Sequence, residues 1–236
     1  MRLRKLLIAG SAVAAAAAFA LVPVAQASTP GGNVGSVRVG ANTTGDHAIT
    51  GTLKSGTSVT MEVYGEPMKL GCTSGSIAGT AHAGTANPAF NFTTLSLICD
   101  SWVIDQTVRI SVPANGCANW TWSSSALVHD GLTDYGPKGA KFQEVLGALN
   151  LPTGCNVTVV AGPCTVTVGG TTTSNFYERK SSTVATQGLN LKGSGLTVRS
   201  AGFLCLGAVS VGDPLTMNSV DFNIASTNGA VDFRDN

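Results

Sequence analysis

Apolar and small polar residues alternate along most of this chain, in runs of about four to eight residues. Alternation with a period of two places successive side chains on opposite faces of a strand, so it indicates half-buried β-structure. The clearest runs are 58–63, 92–98, 107–112 and 215–224. The pattern predicts an all-β, antiparallel fold, either a two-layer β-sandwich or a partly closed barrel with disulfides.

The strongest local signal is a β-hairpin around Ala161-Gly162-Pro163. Segments 155–160 and 164–168 both alternate, which puts Cys155, Val157 and Val159 on one face of the first strand. With Ala161 and Gly162 as the turn, Cys164 would lie opposite Val159. Cys155 would then be several residue pairs away from Cys164, too far for a disulfide between them.

Segment 139–150 allows two interpretations. Phe142, Val145, Leu146 and Leu149 follow helical spacing, although Gly147 weakens a helix. The same segment also fits a strand with Val145, Leu149 and Leu151 facing inward. Periodicity alone slightly favours the helix.

The N-terminus has the features of an export signal. Arg2, Arg4 and Lys5 precede an apolar, alanine-rich stretch, and Ala25-Gln26-Ala27 is a small-residue cleavage site. We therefore predict a signal peptide at 1–27, a flexible lead at 28–44 and a single β-domain at 45–236, in a secreted, extracellular protein. Two lobes that meet near 130–139 are the alternative to one domain.

Composition narrows the choice of partners. Without the signal the charge is 11 − 13 = −2, because three of the fourteen Lys and Arg lie in the signal and none of the thirteen Asp and Glu does. This argues against nucleic acid or an anionic membrane as the main partner, because both reward a basic patch that this chain lacks. No second apolar stretch is long enough to span a bilayer. The sequence does not identify the partner, and cell-envelope or extracellular polysaccharide is the candidate.

Six cysteines follow the predicted signal, at positions 72, 99, 117, 155, 164 and 205. An even number of cysteines in an oxidising compartment indicates a disulfide framework.

Trp120 and Trp122 are the best candidates for ligand binding. In a strand both indoles share one face, where they would stack on sugar rings if exposed, with Trp102 as a third surface. On an inward face they are large core residues. Burial beside Cys117 is the favoured interpretation, because buried tryptophan near a disulfide is common in β-sandwiches.

Other polar residues give weaker signals. His129 adjoins Asp130, and the segment that follows could hold a cation through Asp130 and Asp134 or present Tyr135 to a ligand. Its spacing matches no calcium-binding loop, so a solvated loop is favoured, and we expect no metal or cofactor. No serine lies between glycines in the pattern of a nucleophile elbow.

Strand and disulfide signatures occur in order at Leu53–Thr60, Met68–Gly75 and Ser96–Cys99, then at Leu151–Val159 and at Leu196–Val198, which leads to Cys205. With Asp213-Pro214, these motifs resemble a large group of uncharacterised secreted proteins from actinobacteria. The resemblance implies disulfides between Cys72 and Cys99 and between Cys155 and Cys205, which leaves Cys117 with Cys164. It also implies a strand at 139–150, and we adopt the strand on that ground.

The predicted function is that of a non-catalytic extracellular or envelope-associated protein that acts through its surface. A binding module for carbohydrate or a small apolar ligand is the first alternative, and a secreted hydrolase is the second.

Overall fold

The structure is a computed structural model, which describes residues 30–31, 34–85, 87–101, 106–112, 120–129, 142–151, 155–180 and 185–235. Predictions about the signal peptide fall outside these ranges. The described residues form strands, turns and one short 3-10 helix, with no α-helix among them.

Fourteen strands follow one another along the described chain. The short terminal strands are β1 (Pro30–Gly31), β2 (Val34–Val39) and β14 (Val231–Asp235). The strands between them are β3 (Gly45–Leu53), β4 (Ser58–Val63), β5 (Glu66–Ala83), β6 (Phe90–Ser101), β7 (Gln106–Val112), β8 (Trp120–His129), β9 (Phe142–Asn150), β10 (Val157–Ala161), β11 (Cys164–Lys180), β12 (Ala185–Ala201) and β13 (Pro214–Ser226). The 3-10 helix, Phe203–Cys205, lies between β12 and β13.

The main sheet is a closed, antiparallel barrel with eight strand positions. Five positions are single long strands, namely β5, β6, β11, β12 and β13. Each of the other three is filled by two consecutive short strands, β3 with β4, β7 with β8, and β9 with β10. Neighbours in the barrel are neighbours in sequence, and β13 closes the ring on β3 and β4. Closure leaves the barrel without free edges.

The two ends of the barrel are different. At the turn end lie the β4–β5 turn, the β10–β11 turn and the long β12–β13 connection, residues 202–213. At the plug end, β14 follows β13 and pairs with β2 in a separate two-stranded sheet. Val37, Val39, Val231 and Phe233 of this sheet are all buried. We call this sheet the plug.

The plug is fixed to the barrel by aromatic packing and a side-chain clamp. The Phe233 ring lies between 5.3 and 5.8 Å from the rings of Phe90, Trp122 and Phe176. Gln187 accepts a hydrogen bond from Val231 N at 2.9 Å and donates another to Val231 O. The interior at this end is therefore filled by the protein's own side chains.

The barrel consists of two halves with the same strand plan. β3 to β8 form the first half and β9 to β13 the second, with β9 corresponding to β3, β10 to β4, β11 to β5, β12 to β6, and β13 to β7 and β8 together. The sequence Leu-x-x-Gly-x-x-Val-Thr occurs at the same place in each half, at 53–60 and 151–158. Both halves contribute strands to one ring, so the described residues do not form two lobes.

These observations confirm the all-β, antiparallel prediction. The strand pairings close the sheet into a barrel, whereas the sandwich that the sequence equally allowed is not the arrangement found. Residues 34–39, which lie within the predicted lead, form β2. Their alternating Val37 and Val39 are apolar enough to be buried against β14.

Segment 142–150 is a strand, as the resemblance implied, and Val145, Leu149 and the adjoining Leu151 are buried. The hairpin around Gly162 is confirmed but its predicted register is wrong. Ala161 is paired with Cys164, and Val159 faces Val166, so Gly162 and Pro163 form the turn. Pro163 cannot donate a backbone hydrogen bond, which suits a turn position better than the strand position it was assigned.

Two disulfides are described. Cys72 bonds Cys99, as predicted, across the β5–β6 pair. Cys164 bonds Cys205, so both other predicted pairs, Cys155 with Cys205 and Cys117 with Cys164, are wrong. Cys205 bonds Cys164 because it lies in the connection at the turn end, beside the first residue of β11. Cys155 precedes β10 and lies about halfway along the barrel axis. Cys155 is itself disulfide-bonded, and Cys117 lies outside the described residues.

Candidate functional site

Exposed apolar side chains are concentrated at the turn end of the barrel. The five large apolar side chains that stand out as exposed in the described ranges are Tyr64 in the β4–β5 turn and Phe203, Leu204, Leu206 and Val211 in the β12–β13 connection. We call these five the apolar loop surface. Phe203 is 86% exposed and Leu206 is 80% exposed, so these side chains project from the barrel. Exposed large apolar side chains gathered at one end of a fold mark an interaction site in many proteins.

The connection that carries this surface is held firmly. The Cys164–Cys205 disulfide joins it to the start of β11, with the two Cα atoms 4.5 Å apart. Gly202 N donates a hydrogen bond to Thr165 O at 2.8 Å, and Tyr64 N donates one to Ala208 O at 2.7 Å. The second bond joins the β4–β5 turn to the connection, so the five side chains belong to one surface.

Two members of the surface occupy backbone conformations that large residues rarely adopt. Tyr64 has φ 53° and Leu206 has φ 50°, and they are the two non-glycine residues with positive φ in the described part of the chain. The left-handed region costs an ordinary L-residue about 1–2 kcal/mol, which is why glycine or asparagine usually fills it. Both side chains are exposed, so burial does not offset this strain. Strain of this kind clusters at functional sites.

The tryptophans singled out from the sequence are in the interior. Trp120 is 1% exposed and Trp122 is fully buried. Trp122 Nε1 donates a hydrogen bond to Ser174 Oγ at 2.5 Å, and its ring covers Gly147, where an added Cβ would clash with it. The two rings are core residues in this structure and offer no exposed face to a sugar.

The histidines form two separate polar contacts near the plug end. His82 Nδ1 lies 2.6 Å from Asp46 Oδ1, across the β3–β5 pair. His47 Nδ1 lies 2.7 Å from Asn228 Nδ2, and the other ring nitrogen lies 3.2 Å from Thr44 O. His82 with Asp46 is a His–carboxylate pair of the kind hydrolases use. In the described part of the chain, His82 Nε2 has no hydrogen-bond partner that could serve as a nucleophile.

Two further surface features have structural explanations. Tyr177 lies over Gly188, where an added Cβ would clash with the ring, and Lys54 Nζ contacts its hydroxyl. An aromatic ring that covers a strand glycine restores packing that the missing side chain leaves open. An open depression of about 580 Å³ lies over Gly71, between Lys69 and Asp100. It is wide and shallow, unlike a site that encloses a ligand.

Several predicted residues cannot be placed. Trp102, Asp130, Asp134 and Tyr135 lie outside the described residues, and so does the side chain of His129. Within the described ranges, no group of three or more His, Cys, Asp or Glu is placed to hold a metal ion.

Sequence reasoning missed the apolar loop surface. The signal was present, since segment 202–212 contains no charged residue and four large apolar residues apart from Val209. The segment was passed over because it does not alternate.

Comparisons with known proteins gave no match to a family, a curated protein or a solved structure. The resemblance to actinobacterial secreted proteins therefore remains a prediction. Across the described ranges, no helix is long and apolar enough to cross a membrane.

Proposed function

We propose that this protein is a non-catalytic, extracellular or envelope-associated protein that acts by binding through the apolar loop surface. The observation that carries the proposal is the combination of strain and exposure at Tyr64 and Leu206. Asparagine or glycine at either position would relieve the strain, and neither apolar side chain is buried in the fold. An outside partner is the simplest reason for keeping them.

The rest of the fold is consistent with a rigid binding scaffold. The barrel interior is filled with aromatic and aliphatic side chains, and Phe233 of the plug occupies the plug end. The two described disulfides are compatible with an oxidising compartment, as the proposed extracellular location requires. The outer surface, and the apolar loop surface in particular, then carries the interaction.

The test is a double substitution, Tyr64→Asn with Leu206→Asn, in the mature chain. Because asparagine tolerates the left-handed region, each substitution should raise the free energy of unfolding by about 0.5–1 kcal/mol. It should also lose association with isolated cell envelopes of the source organism. Denaturant melts and an envelope sedimentation assay measure the two effects.

The matched control is Thr50→Asn, an exposed residue on the barrel wall. It should leave association and stability within about 0.5 kcal/mol of the parent protein. If the double variant is less stable than the parent, Tyr64 and Leu206 serve folding instead. If the variant binds envelopes as the parent does, the proposed site is wrong.

A further inference from the structure

We infer that the partner of the apolar loop surface is the interfacial region of a lipid bilayer with zwitterionic headgroups. This inference rests on the proposed function and names its partner. Four observations on the described residues favour lipid over a protein or a polysaccharide.

The first observation is the shape of the surface. Tyr64, Phe203, Leu206 and Val211 are each more than two-thirds exposed, at 72%, 86%, 80% and 68%. Side chains that project this far from two neighbouring loops present a largely convex surface. A deformable medium surrounds such side chains on all sides, whereas a folded protein would need a matching pocket for each of them.

The second observation is the hydrogen bonding of the backbone. A segment that enters a bilayer must satisfy its polar backbone groups internally, because hydrocarbon offers no partners. In the connection this condition is met by seven of the twelve backbone N–H groups, those of Phe203, Leu204 and Val211 not being among them. The seven donors, with acceptors 2.6 to 3.2 Å away, are Gly202, Cys205, Leu206, Ala208, Ser210, Gly212 and Asp213. Ser210 N donates to the Asp213 carboxylate, and the others donate to backbone carbonyls.

The third observation concerns charge. Segment 202–212 has no charged residue. The charged residues within two positions of the five side chains are Glu62, Glu66 and Asp213, and all are acidic. Acidic groups would repel anionic lipid. A charged polysaccharide would find no charged residue in segment 202–212 with which to form an ion pair. Binding should therefore depend on apolar contact and not on electrostatic attraction.

The fourth observation is rigidity. The Cys164–Cys205 disulfide and the Tyr64–Ala208 hydrogen bond fix the two loops before any partner arrives. Insertion then costs little ordering entropy, so a few apolar side chains are sufficient for reversible attachment. Tyr64 belongs to the residue types that favour the membrane–water interface.

The experiment measures co-flotation of the mature, oxidised protein with phosphatidylcholine vesicles. The parent protein should float, and raising the salt from about 0.1 M to 1 M should not release it. Adding phosphatidylglycerol to the vesicles should not strengthen binding. Phe203→Asp and Leu206→Asp should each lower the partition coefficient roughly tenfold or more, because each removes a large apolar contact.

The matched control is Thr94→Asp, which adds the same charge at an exposed position on the barrel wall. It should float like the parent protein, and circular dichroism should show all variants folded. Equal flotation of Phe203→Asp and Thr94→Asp would overturn the inference, and so would salt-sensitive binding that needs phosphatidylglycerol.

Failure of the inference is distinguishable from failure of the proposed function. If the parent protein binds envelopes through Tyr64 and Leu206 but not pure phosphatidylcholine, the surface has a protein or polysaccharide partner and the lipid inference is wrong. If light scattering without vesicles shows a dimer that Phe203→Asp dissociates, the partner is a second copy of the chain, and the inference is again wrong.

Discussion

The two halves of the barrel share one strand plan but differ at the turn end. In the first half β6 and β7 are separated by four residues, 102–105, whereas in the second half β12 and β13 are separated by twelve, 202–213. The longer connection carries four of the five side chains of the apolar loop surface. The comparison shows that the two halves share a framework of strands, and that the β12–β13 connection is longer than its counterpart between β6 and β7.

The equivalent hairpin turns sharpen the comparison. The first turn residue has φ 53° at Tyr64 and φ 54° at Gly162, so both turns begin with a positive φ. The second turn residues differ, because Gly65 has φ 78° whereas the ring of Pro163 holds φ negative. The second half has glycine at the first position, which a positive φ favours, and the first half has an exposed aromatic residue there.

The disulfides also differ between the halves. Cys72 and Cys99 are directly opposite each other in the barrel wall. Cys164 and Cys205 join the wall to the long connection. One bond reinforces a strand pair, and the other fixes the connection that carries the apolar loop surface.

The largest expected effect comes from the aromatic interior, to which the first half contributes Phe90, Phe92, Trp120 and Trp122. Trp122→Ala should lower the free energy of unfolding by about 3–5 kcal/mol, since it leaves a cavity and removes the partner of Ser174. Chemical denaturation measures the loss. A loss below about 1 kcal/mol would contradict the assignment of Trp122 to the packed interior.

Replacing each disulfide should have a similar effect on stability but different effects on binding. The double variants Cys72→Ala with Cys99→Ala and Cys164→Ala with Cys205→Ala should each lose about 2–4 kcal/mol, because the linked residues are 27 and 41 positions apart. Only the second should weaken envelope association. Peptide mapping without reduction checks the pairing, and equal loss of association would contradict the assigned roles.

The smallest effect tests the equivalent turns directly. Gly162→Tyr places at the second turn the residue found at the first, and it should cost about 1–2 kcal/mol for left-handed strain. Its Cβ would also lie 2.9 Å from Gln106 Oε1. Thermal melts measure the cost, with Thr50→Asn as the neutral control. If the variant is as stable as the parent, a positive φ at the first turn residue does not destabilise this barrel.

Much of the fold was predictable because local alternation sets the faces of the strands. Val145, Leu149, Val157 and Val159 face inward as their spacing requires. Closure of the barrel was not predictable in the same way, since it depends on β13 meeting β3 and β4 far along the chain. The repeated Leu-x-x-Gly-x-x-Val-Thr motif at 53 and 151 was the available clue to the two halves.

The candidate site was harder to predict than the fold. A tryptophan can bind a ligand only if its ring is exposed, and sequence alone does not show exposure. Trp120 and Trp122 are buried. The residues of the apolar loop surface look like ordinary core residues in sequence. The loops that carry them are held by the Cys164–Cys205 disulfide and by the hydrogen bond from Tyr64 N to Ala208 O. A local sequence pattern contains neither contact.

The plug has a consequence for the order in which the molecule is built. Val39 pairs with Val231, so the plug joins two strands that lie on either side of all the barrel strands in sequence. It can form only when β2 and β14 have been brought together, and contacts between residues so far apart in sequence form slowly. We therefore expect the plug end of the interior to pack late in folding.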